Sequence, residues 1–166
     1  MEIQCKSNDV ELKELVKRLF FDTAFGGFSF DMFFTLKFYR YSAASYNNNT
    51  LPQEIEMRIL SDWWFDNKEN WAARVKQLTT YDLVEPDEPI LAYELACIRW
   101  MEGSEIEDVT LVDNRMILLF RSGKSISISL ESLDDYAWVI QETRTCEKES
   151  SWSIVCDNAE FFVKTP

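Results

Sequence analysis

Apolar positions change their rhythm along this chain, spaced three and four apart before Gly103 and alternating after it. Asp9 is placed to cap a helix whose apolar positions Val10, Leu12, Leu15, Val16 and Leu19 follow helical spacing, with Glu11, Lys13, Glu14, Lys17 and Arg18 on the other faces. Gly26-Gly27 offers the backbone freedom that a helix stop or sharp turn needs, so this helix is predicted to end between Asp22 and Gly27.

The segment from Phe28 to Tyr46 admits two registers. At period two, Phe28, Phe30, Met32, Phe34 and Leu36 share a face opposite Ser29, Asp31, Phe33 and Thr35. At helical period, Asp31 caps Met32 onward, and Phe34, Phe38 and Tyr41 stack at i, i+4 and i+7. Neither hides every ring. The helical register is preferred from Phe30 to about Ala44, because it puts Lys37 and Arg40 on one flank and meets a polar break at Asn47-Asn48-Asn49.

Thr50, Pro52 and Gln53 read as a capping-box start for a helix carrying Ile55, Ile59, Leu60 and Trp63. Helical neighbours lie about 100° apart, so Trp63, Trp64 and Phe65 cannot all face one way on it. Trp71, Val75 and Leu78 mark a further short helix, Asp82 to Pro89 an acidic loop, and Leu91, Leu95 and Ile98 a helix ending near Gly103.

Beyond Gly103 the pattern predicts strands. Val109–Val112 and Arg115–Arg121 flank Asp113-Asn114, a pair suited to a tight hairpin, and Ser122-Gly123-Lys124 opens the alternating run from Ser125 to Leu130. Ser132 and Asp135 resemble a second capping box, ahead of a short helix through Leu133, Tyr136, Ala137 and Ile140. Trp152–Cys156 and Phe161–Val163, joined at Asp157-Asn158, make a last hairpin. The expected class is therefore α+β: N-terminal helices, about residues 1–103, packed on a C-terminal antiparallel sheet of about four or five strands in residues 104–166. One domain over residues 1–166 is expected, and two small domains split near Gly103 are the alternative, disfavoured because no Gly/Pro/Ser-rich linker lies there.

Composition narrows the chemistry. The formal charge of −12 repels phosphate backbones and anionic membrane surfaces, so neither nucleic acid nor membrane is an expected partner, whereas a basic protein is attracted. No histidine occurs, which removes Ser-His-Asp and Cys-His nucleophile systems, H-E-x-x-H zinc sites and His-ligated iron or copper. Carboxylate chemistry with Mg²⁺ or Ca²⁺, a Lys or Tyr acid/base, or a lone thiolate remains. Cys5, Cys97, Cys146 and Cys156 are too scattered for a zinc ribbon. Cys5, Cys97 and Cys156 have apolar or strand-like neighbours and read as small buried hydrophobes, whereas Cys146 lies in a polar stretch. The N-terminus lacks the pattern of a signal peptide, so a cytoplasmic location with reduced thiols is expected.

Eight of the twelve phenylalanines and three of the six tyrosines fall between Phe20 and Tyr46. Most should build the core, and the surplus rings are candidates for contact. The acidic clusters Asp82, Glu85, Asp87, Glu88 and Glu102, Glu105, Glu107, Asp108 lack the ligand spacing and glycine of an EF-hand and read as solvated loops. Asp134 and Asp135 read as helix-capping residues, Gly26-Gly27 is too sparse to cradle a phosphate, and Ser125, Ser127 and Ser129 have no general base in sight.

The leading expectation is a non-enzymatic acidic domain, without cofactor or metal, that binds a basic protein through carboxylates framing aromatic anchors. Its candidate contacts are Phe33, Tyr39, Tyr41, Trp64, Asp82, Glu85, Asp87, Glu88, Glu105, Glu107 and Asp108. A bacterial immunity protein or antitoxin that neutralises a basic nuclease-type toxin is similar in this general character. A small apolar-ligand binder or a self-associating domain using the Phe-rich segment, and a carboxylate-based metal-dependent enzyme, are the alternatives.

Overall fold

A computed structural model describes residues 2–6, 9–30, 33–41, 51–78, 96–99, 101–133, 136–143 and 152–165. Strand β1 (Glu2–Lys6) leads into helix α1 (Val10–Phe20), which starts where the Asp9 carboxylate accepts the Glu11 N–H at 2.9 Å. Strands β2 (Thr23–Phe30), β3 (Phe34–Arg40), β4 (Glu54–Ile59) and β5 (Trp63–Phe65) follow, then helix α2 (Lys68–Leu78). The rest is β6 (Ile106–Val112), β7 (Arg115–Phe120), β8 (Ser125–Ser129), β9 (Trp138–Glu142), β10 (Ser153–Asp157) and β11 (Glu160–Lys164). Of the described residues 50% lie in strands and 21% in helices, which corrects the expected α+β architecture of helices packed on a C-terminal sheet. Strands run through both halves of the chain. Among the described residues no helix is long and apolar enough to cross a membrane.

Three segments expected as helices contain strands, and for one reason. A spacing of four fits a period of 3.6 and a period of two, so Phe34/Phe38, Ile55/Ile59 and Tyr136/Ile140 satisfied both templates. Pairing decided between them. In β3, Phe34, Leu36 and Phe38 are buried on one face, with β2 and β4 bonded on either side. In β4, Ile55, Met57 and Ile59 are buried and alternate with half-buried Glu56 and Arg58. Trp138 and Ile140 do the same in β9, so the Ser132 segment does not start a helix through Ile140. Residues 96–99 are helical, as expected, and the remainder of that predicted helix lies outside the described residues.

All described pairings are antiparallel. One sheet has the order β1-β11-β10-β9-β4-β3-β2 and the other β5-β8-β7-β6. Edge strands β1 and β2 of the wider sheet are separated by five intervening strands, and α1 is the connection between them. Its Leu12, Val16, Leu19 and Phe20 join the buried core shared by both sheets. Phe20 meets Phe38 edge-on at 5.1 Å, and Trp63 of β5 stacks on Phe34 of β3 at 5.1 Å, coupling helix and second sheet to the first. The fully buried ones among these, Leu12, Val16, Leu19, Phe20 and Phe38, each contribute roughly 1.5–3 kcal/mol through burial.

The sheets are also tied at their edges. Phe25 N–H donates to the Ser104 carbonyl at 2.9 Å, Gly103 N–H donates to the Phe25 carbonyl at 2.7 Å, and Ala24 bridges Glu105. At another crossing, the Leu60 and Ser61 N–H groups both donate to the Ala137 carbonyl. Gly26-Gly27 is not a helix stop but an irregularity in β2, where the register against β3 shifts between Phe25 and Gly27. A Cβ at Gly26 would lie 1.8 Å from Cε2 of Tyr39, so the tyrosine ring occupies the space that glycine leaves. The hairpin turn at Asp113-Asn114 forms as expected, both residues having positive φ, while the last hairpin turns at Asn158-Ala159, one residue later than the sequence suggested.

Candidate functional site

The end of α1 puts two consecutive phenylalanines to opposite uses. Neighbouring side chains on a helix diverge by about 100°, so Phe20 can be fully buried while Phe21, the C-cap residue, is 71% exposed. The backbone beneath that exposed ring is held from several directions. Phe21 N–H donates to the Lys17 carbonyl at 2.9 Å, and Thr23 Oγ1 donates to the Phe20 carbonyl at 2.7 Å.

Arg40, 6% exposed at the end of β3, supplies the strongest hold. Its guanidinium donates to the carbonyls of Phe21 and Leu19, the latter at 2.8 Å, and through Nε to the Pro52 carbonyl at 3.2 Å. The carbonyl end of a helix carries partial negative charge, which is what a buried cation needs for compensation. Burial lowers the guanidinium pKa from its ordinary value, opposed by the charge of Asp22, and an arginine still remains protonated at neutral pH.

Phe20, Phe21 and Asp22 line one side of a hollow of about 480 Å³, and Lys17, Ile106, Glu107, Asp108, Val109 and Arg121 line the rest. Its charges are partly spent internally. Lys17 Nζ lies 3.2 Å from Asp108 Oδ1, and Arg121 pairs with Glu105. Glu107 is exposed and makes no ion pair among the described residues. The hollow thus presents an exposed ring on a braced backbone, with a carboxylate free to meet an incoming cation.

The residues singled out from the sequence scatter around this geometry. Glu107 and Asp108 line the hollow, and Glu105 is tied to its Arg121. Glu102 pairs with Arg99 at 2.6 Å. Tyr41, 70% exposed, follows the clamping Arg40. Phe33 is half-buried between β2 and β3, and half-buried Tyr39 lies over Gly26. Trp64 is buried, opposite in β5 to the inward Trp63 and Phe65, and the Lys68 ammonium sits 4.7 Å from its ring centre. Asp82, Glu85, Asp87 and Glu88 lie outside the described residues. Phe21, Asp22, Lys17 and Arg40 were not among the expected contacts, although the adjacency of Phe20 and Phe21 at a helix end already required one ring to turn outward.

Cys156 is fully buried and Cys97 half-buried, both as free thiols. Burial pushes the Cys156 thiol up to about 12, with Asp157 adding to the rise and a backbone hydrogen bond to Ala159 opposing it. It is therefore a neutral core side chain and not a nucleophile at neutral pH. Among the described residues no group of three or more Cys, Asp and Glu side chains is arranged to hold a metal ion. No family model matches the chain, and neither does any curated protein or solved structure.

Proposed function

We propose that this protein is a non-catalytic, acidic docking domain that binds a basic protein partner through the hollow around Phe21 and Glu107. The observation that carries this reading is the exposed Phe21 ring on a backbone clamped by Arg40, because a preorganised aromatic anchor loses little freedom on binding. Glu107 and Asp22 supply local negative potential within a chain of formal charge −12, which favours rapid encounter with a cationic surface. The partner presents an apolar pocket for the ring, with Lys or Arg beside it. Inhibition of a toxin-like basic protein in the cytoplasm is the form of this function that the charge favours.

The test compares the unmodified protein with Phe21→Ala and Glu107→Lys, each used as bait in a native lysate and then measured against any basic protein recovered. The expected result is one basic partner held by the unmodified protein, weakened at least tenfold by either substitution and by raising salt from 0.1 to 1 M. A partner bound equally by all three proteins, with affinity indifferent to salt, would overturn the reading.

A further inference from the structure

Each sheet ends in two edge strands, and three of these four edges are accompanied. Helix α1 lies against β6, α2 lies against β5, and β2 is bonded at Ala24 and Phe25 to Gly103, Ser104 and Glu105. On β1, β11 is the one bonded strand among the described residues. A strand edge of this kind presents a row of backbone N–H and C=O groups that can template a further strand.

Charge decides which strand fits. β1 reads Glu2-Ile3-Gln4-Cys5-Lys6, so its two charges are opposite and equidistant from Gln4. Turned antiparallel about Gln4, a second copy of the strand sets its Lys6 opposite Glu2, its Cys5 opposite Ile3 and its Gln4 opposite Gln4. Parallel pairing would oppose Glu2 to Glu2 and Lys6 to Lys6, and antiparallel registers centred on Glu2 or on Lys6 would repeat one of those clashes. The pairing inside the protomer obeys the same rule, with Lys164 of β11 opposite Glu2 and Glu160 opposite Lys6. Across the joined edges one row of residues then runs Lys164, Glu2, Lys6, Glu160, alternating in sign throughout. Ile3 and Cys5 hold register with buried Val163 and Phe161, so the row on the other face joins apolar to apolar. Gln4, at the centre, is exposed and donates from Nε2 to Glu160 Oε2 at 3.1 Å.

We infer that β1 is a homodimerisation edge: two copies pair β1 antiparallel about Gln4, and the seven-stranded sheet of one continues through a two-fold axis into that of the other. A five-residue strand makes a small interface, so the dimer is weak and concentration-dependent. This edge is separate from the Phe21 hollow, and its occupant does not depend on the docking reading.

Sedimentation equilibrium between about 10 µM and 1 mM reads the assembly. The unmodified protein should dimerise over that range, and amide exchange should slow in β1 as concentration rises while β10 stays unchanged. Two variants keep opposite charges across β1 and β11 but reverse one charge at the edge: Glu2→Lys/Lys164→Glu and Lys6→Glu/Glu160→Lys. Alone, each sets like charges across the two-fold axis and should dimerise about tenfold more weakly or worse; mixed, the two set opposite charges again and should form a one-to-one dimer. A monomer at the highest concentration would overturn the inference, as would undiminished dimerisation of either variant alone or a mixture of folded variants that stays monomeric. Should a variant fail to fold, exchange in the unmodified protein decides, and β1 amides that ignore concentration overturn it.

Discussion

The hollow at the end of α1 and the cavity beside α2 combine rings and charges in different ways. In the hollow the ring projects into solvent and the nearby cations are committed, Lys17 to Asp108 and Arg121 to Glu105, which leaves Glu107. In the cavity, about 350 Å³ between Phe65, Trp71, Met101 and Cys97, the rings are buried as walls, and Asp66 and Lys124 at its rim are engaged with each other and, for Asp66, with the Ser125 N–H. A net charge of −12 alone therefore does not say which charges remain at either place. Local pairing decides which sign remains to be recognised, and ring burial decides which aromatic side chains a partner can reach.

Two substitutions break the comparison most severely. Trp71→Ala removes the buried anchor of α2 and should cost about 3 kcal/mol in urea unfolding while sparing partner capture. Arg40→Met leaves three carbonyls without their donor and should cost about 3 kcal/mol or more, weakening capture through a loosened Phe21. Loss of partner capture in a folded Trp71→Ala variant would show that the two regions are one unit.

Gly26→Ala sharpens the role of the rings outside both regions. The new Cβ collides with Tyr39 and should cost about 1–3 kcal/mol, an effect that Tyr39→Ala in the same chain should largely relieve in a double-mutant cycle. Additive losses would show that backbone strain, and not the ring, is responsible.

Cys156 provides a control in the core. Its pKa is raised in the folded state from the ordinary 9.0 to about 12, so its contribution to stability is complete below pH 9 and is lost as pH rises toward 12. The stability advantage of the unmodified protein over Cys156→Ala, about 1–2 kcal/mol near neutral pH, should shrink across that interval. A constant difference would show that the thiol ionises alike in both states. The smallest effect belongs to the surface: a Lys17→Ala/Asp108→Ala cycle should give a coupling of about 0.2–1 kcal/mol that disappears in 1 M salt.

How much of this was readable depended on the segment. The β6 to β8 meander was legible because Ile126, Ile128 and Leu130 alternate with serines and Asp113-Asn114 is a strong local turn signal. Helix α1 was legible through Asp9 and its apolar stripe, and α2 through Trp71, Val75 and Leu78. The Phe-rich stretch was ambiguous because rings spaced by four suit a helix or a strand, and only its neighbours β2 and β4 made the strand the better solution for β3. Of the candidate contacts, Glu107 and Asp108 reached the hollow, while Trp64 and Tyr39 were drawn into packing. Arg40 was read only as sharing a helix flank with Lys37, since nothing local reveals that three carbonyls from two separate segments converge on it.

By itself the sequence determined what is set over a few residues: the capped first helix, the tight turns, the overall acidity and the chemistry excluded by the absence of histidine. The tertiary structure decided the partners of each strand, which of Phe20 and Phe21 faced water, and which charges were already spent. The physical reason is range. Capping and turn preferences act between residues close along the chain, whereas sheet pairing, ring burial and charge compensation join residues far apart in it, and their outcome depends on the complete fold.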